Sequence, residues 1–265
     1  MLRLLLLSGL LWLLALGASG CHPQGRTDMQ DAHFQTALTQ HYQRPIQVKE
    51  VHRSQGKYRY VVSAVADTEP PVSFVARFDQ AGQLQQANLR QMWWSQQLQA
   101  QVEPILAQAQ LPFVSRVVYY QLSGAEDLSA AALPSLSEWL REGAGENKAD
   151  IHVHYFATAD DQADEHAMLQ AIRALAAQVQ AQSITTLYVH ASVYDRSAVQ
   201  EQDLTQHTFG FQQIEPGDFE ATYRDHLQKR LVFELRAEQP LPDLARLAEV
   251  MDRSPSYFGS PVQRF

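Results

Sequence analysis

The body of the chain shows two hydrophobic patterns, one with helical spacing and one with the period of a strand. Phe34, Leu38 and Tyr42 recur every four residues and predict a helix from residue 29 to about 41. After this helix, apolar and polar residues alternate, which is typical of half-buried strands. We predict four strands that form an antiparallel meander with one face against the helix: 45–52, 58–66, 72–78 and 83–88.

A second helix, from 93 to 110, is predicted by an apolar stripe that includes Trp94 and Leu98. Pro104 lies within it, and we expect a kink or a restart there, because proline removes a helical hydrogen bond. Leu111-Pro112 then marks a boundary, since the residue before a proline is biased away from helical geometry. We therefore expect two domains that can be separated at this point.

Past the boundary, strands and helices alternate, which indicates a mixed α/β unit. Strands at 151–157 and 185–194 flank a helix at 160–181, whose apolar stripe includes Leu169 and Ile172. A strand–helix–strand unit of this kind is expected to be a right-handed parallel crossover. The same patterns predict the remaining elements: strands 115–122, 206–214 and 229–237, and helices 133–142, 216–226 and 240–251. The predicted fold class is α+β.

A different apolar segment opens the chain. Arg3 precedes an apolar run that ends at Leu16, and small residues follow as far as Cys21, the sole cysteine. The run is too short to span a bilayer comfortably, since a spanning helix needs about 20 apolar residues. A charged start, a short apolar run and small residues before a cut are typical of a secretory signal peptide. The lone cysteine leaves no intrachain disulfide, although export leads to a compartment that permits them.

Ala18-Ser19-Gly20-Cys21 resembles the lipobox of bacterial lipoproteins, although that family usually has Leu in the position of Ala18. The resemblance implies that a peptidase cuts before Cys21 and that its thiol carries a diacylglycerol. Several acyl chains, such as palmitate, then hold the protein at a membrane. The alternative is an ordinary signal peptide cut after Gly20, which leaves a free thiol. Since Asp after the cysteine retains Gram-negative lipoproteins at the inner membrane, His22 implies the outer membrane, facing the periplasm.

Cleavage after residue 20 would leave 265 − 20 = 245 residues, enough for one large domain or two small ones. The chain is therefore divided as follows: signal peptide 1–20, tether 21–28, antiparallel α+β domain 29–110, mixed α/β domain 111–252 and C-terminal tail 253–265.

Composition and motifs exclude several classes of function. A formal net charge of −8 disfavours nucleic acid as a partner, because an acidic surface repels phosphate backbones. The sequence contains no Gly-x-Ser-x-Gly, no phosphate-binding loop, no His-Glu-x-x-His and no Gly-x-Gly-x-x-Gly. The acidic residues between Asp160 and Glu165 are interpreted as a helix start, with a capping Asp and first-turn carboxylates, in preference to a calcium loop.

The histidines of the predicted crossover are the candidate functional residues. His152 and His154 share one face of their strand, and Tyr188 and His190 share one face of the next, because side chains alternate along a strand. Three histidines with an open position form a catalytic zinc pattern, but spacing alone does not fix the register of the strands. We therefore assign no metal and no cofactor, and take this half-solvated face as the candidate surface for a partner or ligand.

These observations favour a lipid-anchored protein of the bacterial envelope that acts by binding or assembly and not by catalysis. It would contact the membrane through its lipid and an envelope protein through its folded body. Two alternatives remain. A periplasmic immunity protein against a toxin would explain an acidic surface without catalytic motifs, and a metal-dependent hydrolase would use the histidine face.

Overall fold

Two sheets with associated helices make up the α+β fold, and the predicted fold class is confirmed. The computed structural model describes residues 24–56, 58–121, 133–142, 145–158, 161–198, 223–253 and 262–265. Cys21, the predicted strand 206–214 and most of the predicted helix 216–226 lie outside the described residues.

The first sheet, sheet A, is the predicted antiparallel meander. It follows helix α1 (Gln24–Tyr42) and its strands are, in spatial and chain order, β1 (Ile46–Arg53), β2 (Tyr60–Ala66), β3 (Val72–Phe78) and β4 (Leu84–Ala87). Alternation in β3 buries Phe74, Ala76 and Phe78, and the ring of Phe34 in α1 lies 4.6 Å from that of Phe78. The helix begins at Gln24 and so includes part of the segment predicted as a tether, because a polar composition is compatible with a helix as well as with a tether.

Helix α2 (Leu89–Leu106) connects the two sheets and belongs mainly to the core of the second. Its N-terminal Leu89 packs with sheet A, whereas Trp94, Leu98, Val102 and Leu106 are buried in the other core. The helix continues past Pro104 and ends in a 3-10 turn at Ala107–Ala109. The predicted division after residue 110 therefore separates this stripe from the core in which it packs.

The second sheet, sheet B, has the strand order β5-β6-β7-β8-β9. Its elements are β5 (Phe113–Gln121), α3 (Leu136–Arg141), β6 (Asn147–Ala157), α4 (Gln162–Gln180), β7 (Thr186–Asp195), β8 (Leu227–Arg236), α5 (Leu244–Val250) and β9 (Gln263–Arg264). The pairs β6–β7 and β8–β9 are parallel, and the other two are antiparallel. The predicted parallel strand–helix–strand connection is thus present, with α4 between β6 and β7.

One face of sheet B, the inner face, packs against α2, α3, α4 and α5. Apolar side chains alternate along β6 and β7 on this face, from Ala149 to Ala157 and from Leu187 to Val193, and contact the stripe of α4 that includes Ile172. Asp161 caps α4, since its side chain accepts hydrogen bonds from the N–H groups of Ala163 and Asp164. The helix-start interpretation of the acidic residues is confirmed for this part of the segment.

The C-terminal segment, predicted as a tail, ends in ordered contacts. Gln263–Arg264 pairs with β8, and the ring of Phe265 lies 5.6 Å from that of Phe233. Two residues are too few to show the period of a strand, which is why the sequence pattern did not reveal β9. None of the helices that the structure describes is both long and apolar enough to cross a bilayer.

Candidate functional site

The side of sheet B away from its helices, the outer face, is formed by the residues that alternate with the core. Strand pairing places His152 directly opposite His190, and His154 opposite Ser192. On the flanking strands, Arg116 is opposite His152 and Glu234 is opposite Tyr188. The residues of this face on β5 to β8 include Arg116, Val118, Lys148, Asp150, His152, His154, Tyr188, His190, Ser192, Arg230, Val232 and Glu234. A polar row therefore crosses the centre of the sheet.

Asp150, His152 and His190 form a compact group, named here the His–Asp cluster. The two imidazole rings are stacked, with centroids 4.3 Å apart and an interplanar angle of 3°. Asp150 Oδ1 lies 3.3 Å from Nε2 of His152 and 3.4 Å from Nε2 of His190. The three side chains are 19–31% exposed, so that a ligand can approach them from solvent.

The charges in the His–Asp cluster are set by burial and by neighbouring groups. Burial, followed by the charge of His152, lowers the pKa of His190 to about 4. Burial on its own raises the pKa of Asp150, but the hydrogen bond and charge of His152 and the charges of His190 and Lys148 outweigh it and lower that pKa. Near neutral pH the cluster therefore contains an ionised carboxylate beside a neutral His190.

Lys148, Tyr188 and Glu234 continue the polar row beside the cluster. The Lys148 ammonium lies 3.3 Å from Asp150 Oδ2 and 3.9 Å from the centroid of the Tyr188 ring. The Tyr188 hydroxyl donates a 2.8 Å hydrogen bond to Glu234 Oε2, and this bond, with burial second, raises the pKa of Tyr188. Tyr188 is thus on the candidate surface as expected, but its hydroxyl already has an acceptor.

His154 differs from the sequence-based expectation of an exposed residue. It lies on the outer face, but its side chain is buried, with 1% of its area exposed. Its ring is 5.7 Å from that of Tyr194, within a part of the face that Phe156, Tyr194 and Tyr223 cover with aromatic rings. Burial, together with the charges of His152, Arg230 and His190, lowers the pKa of His154 to about 3. His154 is therefore a neutral, structural histidine.

The residues that could hold a metal also differ from the sequence-based set. The structure brings together Asp150, His152 and His190, whose ligand atoms all lie within 4.8 Å of one another. His154, the third histidine of the expected set, is not part of this group. Asp150 was missed because the strand was predicted to begin at residue 151, whereas β6 begins at Asn147. Extending the alternation by one step, from His152 to Asp150, is the signal that identifies it.

A cavity of about 600 Å³ lies elsewhere, at the start of α4. The Glu165 carboxylate on its wall accepts hydrogen bonds of 2.7 Å from Lys229 and from both terminal nitrogens of Arg253. The hydrogen bonds from Arg253 are the main reason that the pKa of Glu165 is lowered to about 2. This ion triad ties β8 and the first residue of the C-terminal segment to α4, which is a structural role.

Comparisons with known proteins support the fold and leave the function open. No family model matches the chain, and no curated protein matches it. The fold resembles the crystal structure of a DUF5037 family protein from Ruminococcus gnavus ATCC 29149, with a TM-score of 0.52 and 9% sequence identity. The likeness covers 82% of this chain and 97% of that chain. At this identity it concerns the fold alone.

Proposed function

We propose that the protein is a lipid-anchored protein of the bacterial envelope and that its folded body binds a partner through the outer face of sheet B. The observation that carries the binding role is that, among the described helices, none lies over the half of the β6–β7 outer face that carries His152, Tyr188 and His190, and these side chains stay half-buried. Parallel strands are normally covered on both faces. Here the described helices α2 to α5 share one core on the inner face. The other face offers polar and aromatic side chains in a fixed register.

The chemistry of the outer face suits binding. Histidine and tyrosine combine apolar area with hydrogen-bonding groups, and tyrosine is common in binding hot spots. His152, Tyr188 and His190 are half-buried, so their positions are fixed while part of each remains accessible. The proposed partner is another envelope protein, because the anchor restricts the body to the membrane surface. The chain's formal net charge of −8 supports the exclusion of nucleic acid.

Anchoring is tested at Cys21. Changing Cys21→Ala should move the protein from the membrane fraction to the soluble fraction, because it removes the thiol that carries the lipid. The measurement is fractionation of cells that express the full chain, followed by immunoblotting. His22→Asp is the matched control: it keeps the thiol and should remain with membranes, shifted from the outer to the inner membrane. A Cys21→Ala protein that stays in the membrane after loss of its signal contradicts the lipoprotein proposal.

Partner binding is tested on the His–Asp cluster. His152→Ala and His190→Ala should each reduce capture of the native partner from crosslinked membranes, because both remove accessible area from the centre of the face. The control is His52→Ala on β1 of sheet A, where the side chain is 59% exposed and should not matter. Thermal unfolding of all three variants, measured in the presence of a chelator, should match that of the parent. Unchanged capture by both cluster variants would show that the partner does not bind here.

A further inference from the structure

We propose that Asp150, His152 and His190 form a binding site for one divalent transition-metal ion of the zinc type. The spacing of their ligand atoms is the main reason. Three ligand atoms define three distances. Two of these, from Asp150 Oδ1 to the Nε2 atoms of His152 and His190, measure 3.3 and 3.4 Å. Ligand atoms about 2.0–2.1 Å from a tetrahedral zinc ion are separated by about 3.4 Å. Two of the three distances therefore match those of a coordination shell, and the third pair of ligand atoms lies within 4.8 Å.

The backbone holds this arrangement in place. His152 and His190 are directly paired on the two central strands of sheet B, and Asp150 is one step along the same face of β6. Such ligands do not depend on a loop for their position. Each side chain is 19–31% exposed, so the cluster is reachable from solvent, while Oδ1 of Asp150 is itself buried between the histidines. The site would thus be open, as in zinc centres that accept an external ligand.

Ion binding requires the two rings to change their orientation. The lone pairs of imidazole lie in the ring plane, and two rings at 3° to each other do not converge on one point. Rotation about the Cβ–Cγ bond, a torsion with broad minima, tilts the rings towards each other. Nδ1 of His152 is buried and has no hydrogen-bond partner among the residues that the structure describes. No hydrogen bond from that side holds the ring in its present orientation.

The ligand types and charges select the ion. Two imidazoles and one carboxylate favour zinc and neighbouring transition metals over calcium and magnesium, which prefer oxygen ligands. Lys148 is 3.3 Å from Oδ2 of Asp150, which leaves Oδ1 directed at the two histidines. The ion would occupy the same surface that we assign to the partner. The metal site therefore rests on the proposed function, which requires the outer face to be accessible.

The test is a titration with Zn²⁺ alone. The full chain, purified in detergent without a histidine tag and treated with chelator, is titrated at neutral pH by calorimetry. The parent should bind one ion per chain, and Asp150→Asn and His190→Ala should each weaken binding by more than ~10-fold. His154→Gln, which changes the neighbouring histidine outside the cluster, and His52→Ala on sheet A should bind as the parent does. Visible absorption of the Co²⁺ form should be lost in the same two cluster variants.

The outcomes separate this inference from the proposed function. Zn²⁺ should raise the unfolding temperature of the parent and of the control variants, but not that of the cluster variants, because only a ligand bound to the folded state stabilises it. Equal zinc affinity in the parent and in both cluster variants, each shown to be folded, would overturn the metal site. If zinc binding fails in this way while His190→Ala still loses partner capture, the binding face stands and the metal inference is wrong. If the parent binds zinc but the cluster variants still capture the partner as the parent does, the metal site stands and the proposed partner surface is wrong.

Discussion

A fragment that starts at Pro112 is expected to lose the cooperative unfolding that a fragment starting at Asn88 retains. The difference between them is α2 and the turn after it. Trp94, Leu98, Val102 and Leu106 of this helix are 0–2% exposed within the core of sheet B. At about 1.5–3 kcal/mol for each buried side chain, their loss removes roughly 6–12 kcal/mol. Whole domains are stable by only about 5–15 kcal/mol.

Hydrogen bonds also assign α2 to the core of sheet B. Ser95 Oγ accepts from the N–H of Tyr119 at 2.9 Å, and Trp94 Nε1 donates to the carbonyl of Pro134 at 2.9 Å. Tyr155, near the C-terminal end of β6, donates from its hydroxyl to the carbonyl of Leu106 at 3.2 Å. Deleting the helix would leave these buried groups without their partners, which adds to the loss of apolar burial.

The two fragments are compared by urea unfolding followed by circular dichroism. The fragment 88–265 should give one sigmoidal transition, and the fragment 112–265 a shallow curve with binding of a hydrophobic dye. Both fragments lack sheet A, and so the comparison isolates α2. A sharp transition in the shorter fragment would support the predicted division after residue 110 and show that the helix is dispensable for the core of sheet B.

The first half of the fold could be predicted in detail because its signals are local. Alternation in β2 and β3, the turn at Asp79 and Gly82, and the i, i+4 residues of α1 each act within a few positions. The assignment of α2 could not be predicted in the same way. An apolar stripe indicates that one side of a helix is buried, but not against which sheet. The sheet against which the helix packs is determined by contacts between residues that are distant in sequence.

The candidate site was predictable only in part. Strand period placed His152, His154, Tyr188 and His190 on one face, as the pairing of β6 with β7 shows. Burial along that face could not be inferred, because Tyr223, which packs with the Tyr194 ring beside His154, lies almost 70 positions further along the chain. Arg116 and Glu234 could not be predicted as neighbours of these residues either. Their positions depend on which strands pair with β6 and β7, and in what register.

The burial of His154 should make the protein sensitive to mild acid. The pKa of this histidine is about 3 in the folded protein, because of burial and of the charges of His152, Arg230 and His190, and about 6.5 in the unfolded chain. Below pH 6.5 the unfolded chain takes up a proton that the folded state excludes. Stability is therefore present in full above pH 6.5 and is lost as the pH falls towards 3. His190, with a pKa of about 4, acts in the same direction.

His154→Gln should remove the part of this acid sensitivity that is due to the His154 imidazole. Glutamine keeps a hydrogen-bonding side chain but does not titrate, so that the free energy of unfolding should fall by about 2.5 kcal/mol less than in the parent between pH 7 and pH 4.5. Above pH 4.5 the carboxylates of Asp150 and Glu165, whose pKa values are lowered, contribute little to the change of unfolding free energy with pH. The measurement is urea unfolding at half-unit pH steps, with His52→Gln as the control for an exposed histidine. Parallel pH profiles for the parent and His154→Gln would mean that the His154 imidazole is accessible to protons in the folded state, and hence that this end of the outer face is open.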